Sequence, residues 1–175
     1  MDLIILPGNS KQFNERWLLD SQDNYSPLFN TTTIQTYKHW ETGEQMADLE
    51  TEVERLATST QGKDNYIIYA KSIGTVITIK AVAENKISPK ACIFVGCPFG
   101  ELTGQYKEFS DWIKKYSIHT LFIQQTNDPF FKYTELEKFI DDSGIQNYEL
   151  VEIDGDNHAY DNYDYIKQLM KDFAI

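Results

Sequence analysis

The sequence has little of what would tie it to a metal, a phosphate or a membrane. Its 175 residues include two cysteines, Cys92 and Cys97, without a Cys-x-x-Cys spacing, so neither a zinc ribbon nor a dithiol redox motif has support, and no metal or cofactor is expected. Both fall five positions apart on one predicted strand, where side chains point to opposite faces and cannot pair; free thiols suit a reducing, cytoplasmic setting. Basic residues are in deficit: 16 Lys and Arg against 27 Asp and Glu give a formal charge of −11, which repels nucleic acid and anionic lipid. No apolar run is long enough to span a bilayer, and the amino terminus, with Asp2 and the short run Leu3 to Leu6 before Pro7, is unlike a signal peptide. Neither Gly-x-Gly-x-x-Gly nor Gly-x-x-x-x-Gly-Lys-Ser/Thr occurs, which leaves a nucleotide-binding reading without its phosphate loop. There is no internal repeat, low-complexity tract or linker, and the length suits a single domain over 1–175.

What is present is an alternation of short apolar runs with helical patterns. Leu3–Leu6 is a strand ended by Pro7-Gly8, and Asn9 with Gln12 offers a capping pair for a helix carrying Phe13, Trp17 and Leu18. Residues 33–40 alternate as an edge strand, and Thr42 with Gln45 would cap a helix whose stripe is Met46, Leu49, Val53 and Leu56. The carboxylates among them, Asp48, Glu50, Glu52 and Glu54, read as a solvated face. Ala91–Val95 is another buried strand, and residues 104–116 place Tyr106, Phe109, Trp112, Ile113 and Tyr116 at helical spacing, either a pocket wall or an ordinary covering helix. Thr120–Gln124 is the next strand. Thr134 with Glu137 would open a helix that Gly144 ends, Tyr148–Ile153 is a final edge strand, and Tyr163, Ile166, Met170 and Phe173 mark the last helix. Six strands alternating with six helices predict a three-layer α/β/α fold with a mostly parallel sheet.

The most informative stretch is Tyr66 to Lys80. Tyr66-Ile67-Ile68-Tyr69 is apolar at every position, as in a strand covered on both faces. Small residues, Ala70 and Gly74, stand two positions either side of Ser72. A strand that reverses into a helix at one residue strains that residue, at a cost of about 1–3 kcal/mol, and brings its second neighbours against adjacent backbone. The run Thr75-Val76-Ile77-Thr78-Ile79 favours a strand by propensity, which would make a hairpin, but Ser72 and Ile73 are unsuited to a two-residue turn that wants glycine, asparagine or aspartate. A helix from Ile73 to Asn85 is therefore expected.

Ala70-x-Ser72-x-Gly74 resembles the nucleophile elbow of the α/β-hydrolase superfamily, usually Gly-x-Ser-x-Gly, with alanine in place of the first glycine. The resemblance covers nearly the whole chain. It implies that the six strands correspond to the third through eighth of the usual hydrolase sheet, with the first two and any long lid missing. It also implies a triad in the order Ser72, Asp128, His158, each just after its strand. Gly155-x-Asn157-His158 is similar to the histidine loop of many such enzymes.

The residue types suit the chemistry. A serine hydroxyl needs a base during attack; an imidazole can take the proton and return it to the leaving group, and a carboxylate on the far ring nitrogen sets its tautomer and balances its charge. The oxyanion needs preorganised donors: the N–H of Ile73 at the helix start and, by the resemblance, one from Gly8-Asn9-Ser10, with Asn9 chosen over Ser10. Ser10, Phe99, Trp112 and Phe130 are the expected pocket-lining residues. Plainer readings exist for each part: Ser72 as a helix cap, Asp128-Pro129 as a turn starter, His39 and His119 as packing residues within or beside strands, Lys71 as a side chain reaching solvent.

The expected activity is that of a serine hydrolase acting on a carboxylic ester, thioester or amide through an acyl-enzyme, with a small-molecule acyl substrate and, without a lid, a shallow pocket. The alternative is a non-catalytic relative that uses the same cleft for binding.

Overall fold

The computed structural model describes residues 1–174 and, except at 101–103, their side chains. Six strands, β1 (Asp2–Leu6), β2 (Thr32–Ile34), β3 (Tyr66–Lys71), β4 (Ala91–Val95), β5 (Thr120–Gln125) and β6 (Tyr148–Ile153), form one sheet in the order β2-β1-β3-β4-β5-β6. All five pairings are parallel. Parallel strands need crossovers, and helices supply them on both faces. Ile4, Leu6, Ile68 and Ala70 point toward α3 (Leu49–Thr60), α4 (Ile73–Ala83), α6 (Phe109–Lys115) and α7 (Tyr133–Ser143). The alternate residues Leu3, Ile5, Ile67 and Tyr69 point toward α1 (Lys11–Tyr25) and α8 (Tyr163–Ala174). The three-layer α/β/α architecture expected from the sequence is therefore present.

Helix α4 contains the β-branched run and is buried at all its positions. Burial between the sheet and the helices α3 and α6 overrides the weak strand preference of its side chains. It ends at Ala83, and beyond it Asn85, with φ 58°, and the bond from Lys86 N–H to Ala81 C=O make a left-handed cap.

Several boundaries differ from expectation. The second strand stops at Ile34 instead of running to residue 40. Beyond it the Tyr37 hydroxyl donates to Pro7 C=O at 2.6 Å, and residues His39–Thr42 form a short helix, α2, so His39 lies in a helix. Helix α3 is capped by Asp48, which accepts from Thr51 N–H at 2.8 Å, and the Thr42 hydroxyl is spent on Glu44 at 3.2 Å; Met46 therefore precedes the helix. Ser10, not Asn9, occupies the cap position of α1. Helix α7 starts earlier than a Thr134–Glu137 box would allow, because the Glu135 carboxylate accepts the Lys132 N–H at 2.8 Å. Residues 104–116 are not one helix: α5 (Phe99–Gln105) and α6 are separate. Cys97 lies past the end of β4, beyond Gly96 with φ 61°; that turn breaks the strand alternation, and both thiols are free in the same core layer instead of on opposite faces.

Gly74 marks where α4 crosses β1. A Cβ there would lie 2.9 Å from Leu6 Cβ and 2.9 Å from Pro7 C=O, and backbone cannot yield as a flexible side chain can. Gly74→Ala should lower unfolding free energy by about 1–3 kcal/mol, read as an earlier denaturant midpoint; an unchanged midpoint would show that the crossing has slack.

Candidate active site

Ser72 sits between β3 and α4 with φ 53° and ψ −123°, a region L-residues seldom occupy. The conformation is held from both sides. Its N–H donates to Val95 C=O at 3.0 Å, and its C=O accepts from Thr75 N–H at 2.9 Å and from the Thr75 hydroxyl at 2.7 Å. The Ser72 hydroxyl itself makes no capping bond to the helix. A serine so placed is not serving as a cap.

Asp128, in the turn after β5, is buried at 1% exposure. One carboxylate oxygen accepts from Phe130 N–H at 2.9 Å; the other accepts from His158 Nδ1 at 2.7 Å and from the Tyr160 hydroxyl at 2.7 Å. The turn-starter role and the histidine partner role are thus both filled by the same side chain. Burial pushes the Asp128 pKa up, but the bonds from His158, Tyr160 and Phe130 outweigh it and hold the carboxyl below its ordinary 3.8. Bound through Nδ1, His158 presents Nε2, which is buried without a hydrogen-bond partner among the described residues.

The loop carrying His158 is built from groups that sequence reasoning passed over. Gln125, at the end of β5, accepts from the N–H groups of Asn157 and His158 at 3.1 and 2.9 Å and donates to Asn157 Oδ1 at 3.0 Å. Tyr160, fully buried, accepts from Gln125 N–H at 2.9 Å while donating to Asp128. His158 and Tyr160 both have positive φ, 57° and 53°. Gly96 makes room for them, since a Cβ there would stand 2.7 Å from His158 Cε1 and 2.6 Å from the Tyr160 ring. The sequence signal for this was Gly96 itself, just past a buried strand.

The first loop is fixed as firmly. Asn9 C=O accepts from Trp40 Nε1 at 2.7 Å and His39 Nε2 at 2.8 Å; its side chain accepts from Ala47 N–H at 2.9 Å and donates to Gln45 C=O at 2.9 Å. With its other polar groups occupied, the Asn9 N–H has no partner among the described residues, and the same holds for the Ile73 N–H at the start of α4.

Ser72, His158, Asn9, Ile73, Ser10 and Phe130 all line one cavity of about 950 Å³. That is the upper end of small-molecule pockets, larger than a lidless site suggests, because α1 supplies a wall through Phe13 and Trp17. Phe130 is half exposed, with its ring centroid 4.6 Å from that of His158. Two expected pocket residues are elsewhere. Phe99 is fully buried against Phe109 and Phe139, and Trp112 packs beside Phe109 with the Lys80 ammonium 4.7 Å from its ring. The aromatic surface of 104–116 covers α4 and the core; from this stretch only Gln105 reaches the cavity. Lys71 also departs from expectation: it is buried, at 4% exposure. Among the described residues no cluster of His, Cys, Asp and Glu could hold a metal ion, and no helix is long and apolar enough to cross a membrane.

No family model and no curated protein matches the chain. Solved structures do. Est1E from Butyrivibrio proteoclasticus, solved with ferulic acid bound, is 18% identical, with 98% of this chain and 87% of its own covered and a TM-score of 0.72. A serine hydrolase involved in carbazole degradation, the CarC enzyme, is 11% identical over 99% and 90% of the two chains, with a TM-score of 0.71. YbtT, a type II thioesterase from the yersiniabactin pathway, is 11% identical over 98% and 91%, with a TM-score of 0.61. The strand order, the crossing at Gly74 and these likenesses agree: the chain has the α/β-hydrolase fold.

Proposed function

We propose that the protein is a serine hydrolase that cleaves a carboxylic ester, thioester or amide of a small-molecule acyl substrate through an acyl-enzyme. Ser72 Oγ attacks the acyl carbon as His158 Nε2 takes its proton; the imidazolium then protonates the leaving group as the tetrahedral intermediate collapses. Asp128 fixes the tautomer with the Nδ1 proton toward itself and balances the imidazolium charge. The N–H groups of Ile73 and Asn9 receive the oxyanion. Water, activated by the same imidazole, releases the acid and restores Ser72.

One observation carries this reading above the rest: a largely buried imidazole is anchored to a carboxylate through Nδ1, its Nε2 has no partner among the described residues, and it lines the same cavity as Ser72. An unpartnered nitrogen alone does not set His158 apart, since buried His39 also leaves its Nδ1 without a partner among the described residues; the Asp128 carboxylate on the other nitrogen and the cavity shared with Ser72 do. Three of the exposed large apolar side chains, Phe13, Met46 and Phe130, line the same cavity, which suits an apolar acyl or leaving group. A binding-only role is favoured by a single feature, the absence of a hydrogen bond between Ser72 and Nε2. Catalytic hydrogen bonds are often long without substrate.

Turnover of short acyl esters should fall about 10⁴-fold or more in Ser72→Ala and His158→Ala, and a fluorophosphonate probe should label wild type but not Ser72→Ala. Undiminished labelling of that variant would remove Ser72 from the mechanism.

Asp128 gives a pH prediction with a definite sign. Its pKa is depressed in the folded state, so its contribution to stability is present above the unfolded value and lost as pH falls through the folded one. The stability difference between wild type and Asp128→Asn should shrink on acidification from roughly pH 5 to pH 2, measured by denaturant titration; a difference constant across that range would contradict the assignment.

A further inference from the structure

Lysine is seldom buried, and Lys71 is buried immediately before Ser72. Its ammonium donates to Ala159 C=O at 3.0 Å and lies 5.1 Å from the centre of the Trp17 ring. The same tryptophan donates from Nε1 to Tyr160 C=O at 3.0 Å. Two consecutive carbonyls, at the residues just after His158, are therefore held from the β3 and α1 side. The other side of the loop is held by Gln125 and by the Tyr160 hydroxyl. Between these ties lie two left-handed residues, His158 and Tyr160, a strained segment that relaxes unless it is over-determined.

We propose that Lys71 is a positioning residue of the proposed hydrolase site, which ties the backbone after His158 to the strand that leads into Ser72 and so sets where Nε2 stands relative to the serine hydroxyl. This rests on the hydrolase reading for its catalytic consequence, though not for its structural one. The cation matters as well as the donor, because a charge-assisted bond is roughly twice as strong as a neutral one. Burial lowers the Lys71 pKa from 10.5 to about 8, against the opposing pull of Asp128 and Asp161. Those two carboxylates, from the turn after β5 and the loop before α8, are the acidic groups that bear on it. On α1, Asp20 and Arg16 line the same cavity but pair with each other at 2.8 Å; Tyr163 lines it too. The tie thus weakens as pH rises through about 8, when the ammonium loses its proton.

The test compares wild type, Lys71→Met and Lys71→Arg. Lys71→Met keeps an unbranched stem and removes both donor and charge; kcat for a short ester should fall about 10- to 100-fold with KM changed little. The wild-type profile should show an alkaline limb near pH 8 that is absent in Lys71→Met, and Lys71→Arg should restore kcat and carry the limb upward. The imidazole resonances of His158, one of three histidines, should shift in Lys71→Met whether or not any ester is cleaved. Wild-type kcat and unshifted His158 resonances in Lys71→Met would overturn the proposal and leave the hydrolase reading intact. Shifted resonances in a protein that cleaves nothing would do the reverse. Should Lys71→Met not fold, wild type decides alone: neither kcat nor the His158 resonances changing between about pH 7 and 9.5 would overturn it.

Discussion

The site depends on a buried carboxylate. Asp128 is all but inaccessible, yet it is held ionised by bonds from two side chains and a backbone N–H. Removing one of these donors typically costs about 1–3 kcal/mol or more, because the charge stays buried with a bond unmade. His158 and Tyr160 are therefore bound to stay where they are, and with them the loop that would otherwise escape two unfavourable backbone conformations. The turn after β5, the loop before α8 and the exit of β4 at Gly96 are fastened at one point, at the carboxyl ends of the strands where ligands bind in open α/β sheets.

A second constraint acts at Ser72. Its strained backbone is tied to Val95, the last residue of β4, and the helix it starts is pressed against β1 with no room for a side chain at Gly74. The hydroxyl is left out of the local bonding and lines the cavity. Strain retained at a residue whose side chain has no structural task suits the proposed nucleophile: the scaffold fixes its position and leaves the hydroxyl free. Lys71 and Trp17 join this constraint to the first one, through consecutive carbonyls of the histidine loop.

Much of this is legible in the sequence. Central parallel strands read as unbroken apolar runs, so β1, β3, β4 and β5 stand out, and the small residues flanking Ser72 announce the tight turn by steric necessity. The edges were less legible. The segment after Ile34 alternates like a strand, but its aromatic and histidine side chains are drawn to Pro7 and Asn9, and that attraction is invisible in a one-dimensional pattern. Helical spacing identified Phe109, Trp112 and Ile113 as one face without saying what the face would cover, hence the misplacement of Trp112 in the pocket; Phe99 follows a strand's carboxyl end, as pocket residues do, but its ring turns into the core. Lys71 looked like a surface lysine because nothing local indicates burial. Tyr160 and Gln125 were missed for a related reason: their partners lie 32 to 35 residues away.

The proposed chemistry requires a hydroxyl, an imidazole and two backbone donors to converge on one tetrahedral centre. The most direct measurement is a crystal structure of the protein after reaction with a fluorophosphonate, whose phosphorus mimics that centre. Phosphorus bonded to Ser72 Oγ, with its oxygen within hydrogen-bond reach of the Ile73 and Asn9 N–H groups and His158 Nε2 beside the serine oxygen, is the predicted result. Phosphorus on another residue, or on Ser72 with its oxygen turned to solvent and away from both donors, would contradict it.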